Sequence, residues 1–219
     1  SGSSTALNLS KKGYSVIILE KEHRKGSIAC AGGMASSIQN LLPLDISQSI
    51  ETEVKEVHFT WKFSDKVIAE LTGNSPFWII RREKLDELLL EKAITNGTEI
   101  SNPVTIEKLK NENESWHITC SNNDIYKSKF LVIADGSESG WAHHLRLGPS
   151  KPKFANTVGI RLKGLGNIKK ETARFDFGLV QNGFAWAFPL KNAVNIGMGT
   201  FLGNKNSISV QEILKSFLP

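Results

Sequence analysis

The stretch SGSSTALNLSKKGYSVIILE at positions 1–20 constrains the fold more than any other. Ala6 and Leu9 stand three apart, Lys11 and Lys12 occupy a last turn, and Gly13 supplies a stop, so residues 3–12 read as a short helix. The run YSVIILE that follows is almost continuously apolar and β-branched, the pattern of a strand buried on both faces of a parallel sheet. Helix, glycine and buried strand make the second half of a βαβ unit.

The ends of that unit carry two residues with chemical meaning. Gly2 lies at the helix start, and Glu20 closes the strand 18 residues later. In a dinucleotide-binding βαβ unit, a G-x-G-x-x-G turn delivers a pyrophosphate to the helix N-terminus. An acidic residue about 20 positions on then binds a ribose hydroxyl. Two readings stay open on this stretch alone: Gly2 as the third glycine of such a turn, or a Ser/Gly linker before an ordinary helix–strand unit.

Composition excludes several classes. No stretch of the 219 residues approaches the roughly 18 consecutive apolar positions of a spanning helix. The net charge of +5 is spread along the chain rather than striped, which argues against a nucleic-acid partner and suits an anionic cofactor. Cys30 and Cys120 stand far apart without a CxxC or Cys/His cluster, so no metal site is expected. No basic segment followed by an apolar core marks a secretory signal, and a cytoplasmic location with reduced thiols is the expectation.

Further along, a Gly-rich loop in HRKGSIACAGGMASS leads toward a helix from about Ser36, and VKEVHFTWKF with KVIAEL reads as a hairpin. WIIRREKLDELLLEKAITNG is a strand end followed by an amphipathic helix, with Leu85, Leu88, Leu89 and Ala93 on its apolar face and Gly97 as its cap. Short strands PVTIEKL, SWHITC and DIYKSK follow, and FLVIADG reads as a second buried strand. From about Lys151, TVGIRLKGL, ARFDFGLV, GFAWAFPL and AVNIGMGTF predict an antiparallel sheet, with GPSKPK as the seam.

Two more signals carry chemistry. In LVIADGSES, Asp135-Gly136 places a carboxylate and bare backbone at a strand's C-terminal end, where open α/β sheets bind ligands; Asp-Gly is equally a good turn. Arg82 and Asp86, four apart at a helix start, fit either a surface ion pair or a ligand-directed arginine, and Arg81 next door leaves the choice between the two arginines open.

Taken together in this order, SGSSTALNLSKKGYSVIILEK, RREKLDELLLEKAITNG and IADGSES resemble the flavoprotein group of the aromatic-ring hydroxylases, and more closely the geranylgeranyl reductases. CAGGM at 30–34 is similar to the reductases' CGGG loop beside the flavin ring. GFAWAFPLKNAVNIGMGT at 183–200 is similar to their substrate-cavity signature. The sequence departs from the family at Ala31, which replaces a loop glycine, and at Leu85, which replaces a Phe.

The resemblance implies an α/β (α+β) fold, with a Rossmann-like FAD-binding domain and an inserted antiparallel-sheet substrate domain. The former is expected over 1–150, with residues about 36–80 partly on the substrate side, and the latter over 151–219. It also implies that a first strand bearing GxGxx precedes Ser1 and that a GDAA motif follows Pro219.

The implied activity is FAD-dependent reduction of C=C bonds in a polyprenyl chain, with NADPH or another reductant as electron donor. The alternatives are a flavin monooxygenase or a non-catalytic prenyl-lipid or FAD-binding protein. FAD would be held by Gly2, Glu20, Lys21, Arg82, Asp135, Gly136, Ser139, Gly32 and Gly33. Trp186, Phe188, Pro189, Asn195 and Gly197 would line the substrate site, with Cys30 as the candidate catalytic thiol. A prenyl-lipid substrate also implies peripheral association with a membrane.

Overall fold

The structure, a computed structural model, describes residues 1–21, 30–73, 76–137, 139–149 and 153–201. The Gly-rich lead-in at 24–29 and residues 150–152 of the expected seam lie outside them.

In chain order the chain runs α1 (Gly2–Ser10), β1 (Ile17–Leu19), β2 (Gly33–Ala35), β3 (Ile50–Val54), β4 (Glu56–Trp61), β5 (Ser64–Glu70), β6 (Phe77–Ile80) and α2 (Arg82–Thr95). It continues through β7 (Glu99–Ser101), β8 (Ile106–Glu112), β9 (Ser115–Cys120), β10 (Ile125–Ser128) and α3 (Gly140–His144). The last strands are β11 (Ala155–Lys163), β12 (Thr172–Phe177), β13 (Gly183–Pro189) and β14 (Ala193–Phe201). Ser36–Leu41 forms a 3₁₀ helix rather than the expected α-helix. The chain divides into two compact units, Ser1–Gly26 with Asp86–Lys151, and Ser27–Leu85 with Pro152–Pro219.

In the first unit α1 ends as expected, with Gly13 at φ +81 in the left-handed region open to glycine. The strand after it is shorter and less buried than its sequence suggests. The strand proper is Ile17–Leu19, parallel to β7, and all three are half-buried. The expected buried strand at FLVIADG is a second correction. Residues 130–135 form no ladder among the described residues, and Phe130 and Val132 are exposed while Leu131 and Ile133 pack inward. Without strands on both sides, a β-branched run buries only alternate side chains.

Those inward residues join Leu19, Val104, Leu109, Ile118, Cys120 and Trp141 in one cluster over the β8–β9–β10 meander. Burial there pushes the Cys120 thiol pKa up. In α2, Leu85, Leu88, Leu89 and Ala93 are all buried, as the i, i+3, i+4 spacing requires.

The second unit is built on a six-stranded sheet in the order β11-β14-β13-β12-β4-β5. The expected antiparallel strands are there, but the sheet is mixed. Phe175 of β12 pairs in parallel register with Phe59 of β4, so the expected hairpin extends the sheet. A smaller antiparallel sheet, β2-β6-β3, packs on one face of it through Val54, Ile79, Phe77, Trp186 and Phe188.

Candidate functional site

The first unit presents the α1 N-terminus and the Asp135-Gly136 turn. Ser1 offers α1 no side-chain cap, and no acidic residue lies in the first turn. A Cβ added at Gly2 would lie 3.4 Å from the Ala134 Cβ, so the helix start approaches the segment that ends in Asp135. Close helix–strand approach is what a third fingerprint glycine permits. Glu20 continues the ladder beyond β1, its amide donating to the Ser101 carbonyl at 3.0 Å and its carbonyl accepting from Val104 at 2.8 Å.

Lys21, Asp135 and Gly136 are exposed, with Gly136 at φ +92. Ser139 already has a structural partner, since its hydroxyl caps α3 by accepting from the Ala142 amide at 2.9 Å. His143 and His144 close α3.

The second unit brings together Cys30, Gly32, Gly33, Arg82, Trp186 and Asn195. Gly32 sits at φ +84, and a Cβ there would overlap the Ile80 carbonyl; its own carbonyl accepts from the Ile80 amide at 2.9 Å. At Gly33 a Cβ would come within 2.7 Å of the Phe77 ring and 3.2 Å of Phe188. Both glycines therefore let the loop lie flat on β6 and the large sheet.

Arg81 pairs with Glu51, whereas the Arg82 guanidinium lies 3.8 Å from the Cys30 Sγ. Arg161 of β11 holds Glu83, next to Arg82, through both carboxylate oxygens at 2.7 and 2.9 Å.

Trp186, Phe188, Pro189, Asn195 and Gly197 are buried. The Trp186 indole lies over Gly197, where a Cβ would collide with it, and in ordinary contact range of Gly159, and its Nε1 donates to the Asn195 Oδ1 at 3.2 Å. Asn195 Nδ2 in turn donates to the Cys30 carbonyl at 2.7 Å.

Sequence reasoning missed the larger feature around them. Parallel and antiparallel register set Phe59 and Trp61, Phe175 and Phe177, and Phe184, Trp186 and Phe188 on one face of three adjacent strands. The rings form a continuous file: Phe77 to Phe188 at 6.1 Å between centroids, Phe188 to Phe175 at 5.0 Å, Phe175 to Phe184 at 5.5 Å, and Phe184 to Phe201 at 5.7 Å. A branch runs from Phe175 to Phe59 at 5.6 Å and on to Phe177 at 6.3 Å. Phe188 is buried against Gly33 and the small sheet, while Phe59, Trp61, Phe177 and Phe201 are exposed. The signal was present as aromatic residues two apart in HFTW, RFDF and FAWAF, a period that puts them on one face of a strand.

The opposite face is polar at β4 and β12. Asp176, buried, accepts from the Thr60 hydroxyl and pairs with Arg174 at 2.9 Å. The two faces of one sheet thus differ sharply, and only the aromatic one meets the 30–34 loop.

No family model matches the chain. A digeranylgeranylglycerophospholipid reductase from Methanococcus vannielii is 24% identical over 225 residues, covering 99% of this chain and 56% of the relative. A geranylgeranyl bacteriochlorophyll reductase-like protein from Thermoplasma acidophilum has a solved structure that matches 99% of the chain and 58% of its own with a TM-score of 0.84 at 22% identity. The halogenase PltM, solved in complex with phloroglucinol and FAD, matches 99% of this chain and 53% of its own with a TM-score of 0.72 at 16% identity. The chain spans little more than half the length of these proteins. Sequence relatives and shared fold agree with the resemblance drawn from the motifs: the chain is a homologue of the digeranylgeranylglycerophospholipid reductases and has the fold of FAD-binding oxidoreductases.

Proposed function

We propose that the protein is an FAD-dependent oxidoreductase that saturates C=C bonds of a polyprenyl chain. The aromatic file is the observation that carries this reading. A floor of stacked and edge-on rings about 5 to 6 Å apart, buried at Phe188 and exposed at Phe177 and Phe201, suits a long unsaturated hydrocarbon. The reductase relatives support the same substrate class.

The residues present fit FAD. In the first unit we assign the α1 N-terminus with Gly2 to phosphate, Glu20 with Lys21 to the ribose side, and Asp135, Gly136 and the Ser139 backbone to the cofactor as well. In the second unit Arg82, 3.8 Å from the Cys30 Sγ, and the loop bearing Gly32 and Gly33 would hold the ring system of the cofactor. Reduced FAD, when bound, supplies the hydride that one carbon of the double bond receives, and a proton completes the other carbon. NADPH or another reductant restores the electrons.

The chain's own residues orient and exclude. The aromatic floor strips water from the prenyl chain and fixes which of its double bonds reaches the 30–34 loop. The exposed Phe177 and Phe201 receive the remaining isoprene units. Substrates of this kind reside in lipid, so we also propose delivery from a membrane surface; no described helix is long and apolar enough to cross one.

The test is anaerobic turnover of the reduced protein with a geranylgeranyl lipid, followed by mass spectrometry. Each saturated bond adds two hydrogens to the product. Oxygen-dependent hydroxylation of an apolar substrate, with no hydrogenated product under anaerobic conditions, would overturn the reading in favour of a monooxygenase on the same fold.

A further inference from the structure

The geometry points to Asn195 as a positioning residue that sets the Cys30 loop, rather than a residue that touches substrate. Its amide is used at both ends. Nδ2 donates to the Cys30 carbonyl at 2.7 Å and lies 3.4 Å from the Ala31 carbonyl, while Oδ1 accepts from the Trp186 indole at 3.2 Å. The two partners leave one orientation of the amide, because an indole N–H can only donate and a carbonyl can only accept. Asn195 is buried, so neither bond is exchanged readily for water.

This clamp ties three parts of the second unit together. Trp186 is held by the space above Gly197 and Gly159, and so fixes the amide. The amide fixes the Cys30 and Ala31 backbone. That backbone carries the Cys30 thiol beside the Arg82 guanidinium at 3.8 Å, and leads to Gly32, whose carbonyl accepts from Ile80. Under the flavin reading the loop is the part that meets the ring, so the consequence for turnover rests on that reading; the clamp itself does not.

The test uses the whole chain, with and without added FAD, and follows two signals. One is labelling of Cys30 by a bulky maleimide, read by mass spectrometry with buried Cys120 as the internal control for the first unit. The other is hydrogen-exchange protection of the Ile80 amide, which reports the loop directly. Asn195→Asp keeps size and the acceptor for Trp186 but sets an oxygen against the Cys30 carbonyl. It is expected to speed Cys30 labelling and Ile80 exchange about tenfold, leaving Cys120 unchanged.

Lowering pH protonates the new carboxyl, whose O–H then donates to the Cys30 carbonyl, so Ile80 protection in Asn195→Asp recovers toward wild type. Asn195→Ala, with nothing to protonate, shows no recovery. Trp186→Phe, which keeps the ring and loses the donor, is expected to speed both signals about threefold. Should Asn195→Asp fail to fold, Trp186→Phe decides alone.

Wild-type rates in the folded variants overturn the proposal. So does equal acceleration in Val194→Ala, which loosens the adjacent buried position without touching the clamp. The samples without FAD decide the clamp, so its failure there leaves the flavin reading standing, and failure to bind FAD in the other samples leaves the clamp intact.

Discussion

Arg81 and Glu51 form an ion pair at 3.0 Å in which the carboxylate is only 2% exposed. Glu51 also lies 3.7 Å from the Lys84 ammonium and accepts from the Lys191 amide at 3.4 Å, tying β3, the start of α2 and the β13–β14 turn to one buried charge. Removing Arg81 leaves that charge partly uncompensated. Arg81→Ala is expected to cost about 2–4 kcal/mol in urea unfolding, and Lys84→Ala, at the more distant and more exposed cation, less than about 1 kcal/mol. Equal losses for the two would show that the buried carboxylate does not depend on Arg81 in particular.

Gly197 and Gly2 should respond oppositely to the same added methyl. At Gly197 a Cβ overlaps the Trp186 indole and the Val158 carbonyl, and neither is a flexible side-chain end. Gly197→Ala is expected to cost about 2–3 kcal/mol, whereas Gly2→Ala, meeting only the Ala134 Cβ at 3.4 Å, should cost less than about 1 kcal/mol. Thermal unfolding of the two variants against wild type checks this, and a loss in Gly2→Ala as large as in Gly197→Ala would refute it.

The aromatic file should separate binding from folding along its length. Phe188 is fully packed, so Phe188→Ala should cost about 3–5 kcal/mol of stability. Phe177, which is exposed, should tolerate Ser with under about 1 kcal/mol lost while binding of a prenyl lipid weakens severalfold. Fluorescence titration with a geranylgeranyl lipid gives the second number; unchanged affinity in Phe177→Ser would remove the outer rings from the substrate path.

Acid should weaken the β4–β12 edge through Glu56. A hydrogen bond from His58 at 3.0 Å, and then the Lys169 ammonium at 4.0 Å, hold the Glu56 carboxyl below the usual glutamate range. Its folded pKa is depressed, so the stabilisation is complete above the unfolded-state value and is lost as pH falls through the folded one. Glu56→Gln should differ from wild type near neutral pH and converge with it in acid. A stability gap that persists unchanged below the glutamate range would mean that the ionised carboxylate contributes nothing.

Local sequence made the helices and most strands legible because their apolar spacing answers to neighbours a few residues away. Leu85, Leu88, Leu89 and Ala93 needed only the helical period, and Gly13 and Gly97 only the left-handed turn. The motifs at 183–200 and 30–34 gave the kind of protein before any geometry was known. What stayed hidden depends on partners far along the chain. YSVIILE and FLVIADG read as buried from their composition, but burial is decided by what lies on each side of a strand. Asn195 sat inside a recognised motif, and only the Cys30 carbonyl, 165 positions away, shows what its amide holds. Arg81 and Arg82 are indistinguishable as letters, and the structure sets Arg81 against Glu51 and Arg82 beside Cys30.

The parallel pairing of β4 with β12 also sets a clock. Thr60 meets Asp176 across 116 positions, so a ribosome adding 5 to 20 residues per second leaves β4 and β5 without that neighbour for roughly 6 to 23 s. During that interval Phe59, Trp61, Val67 and Ile68 face water on a strand edge that can pair with any other extended chain. Synthesis in the cell therefore passes through a sticky half-sheet, and yield of soluble protein should follow elongation rate and chaperone supply more closely than the stability of the finished fold.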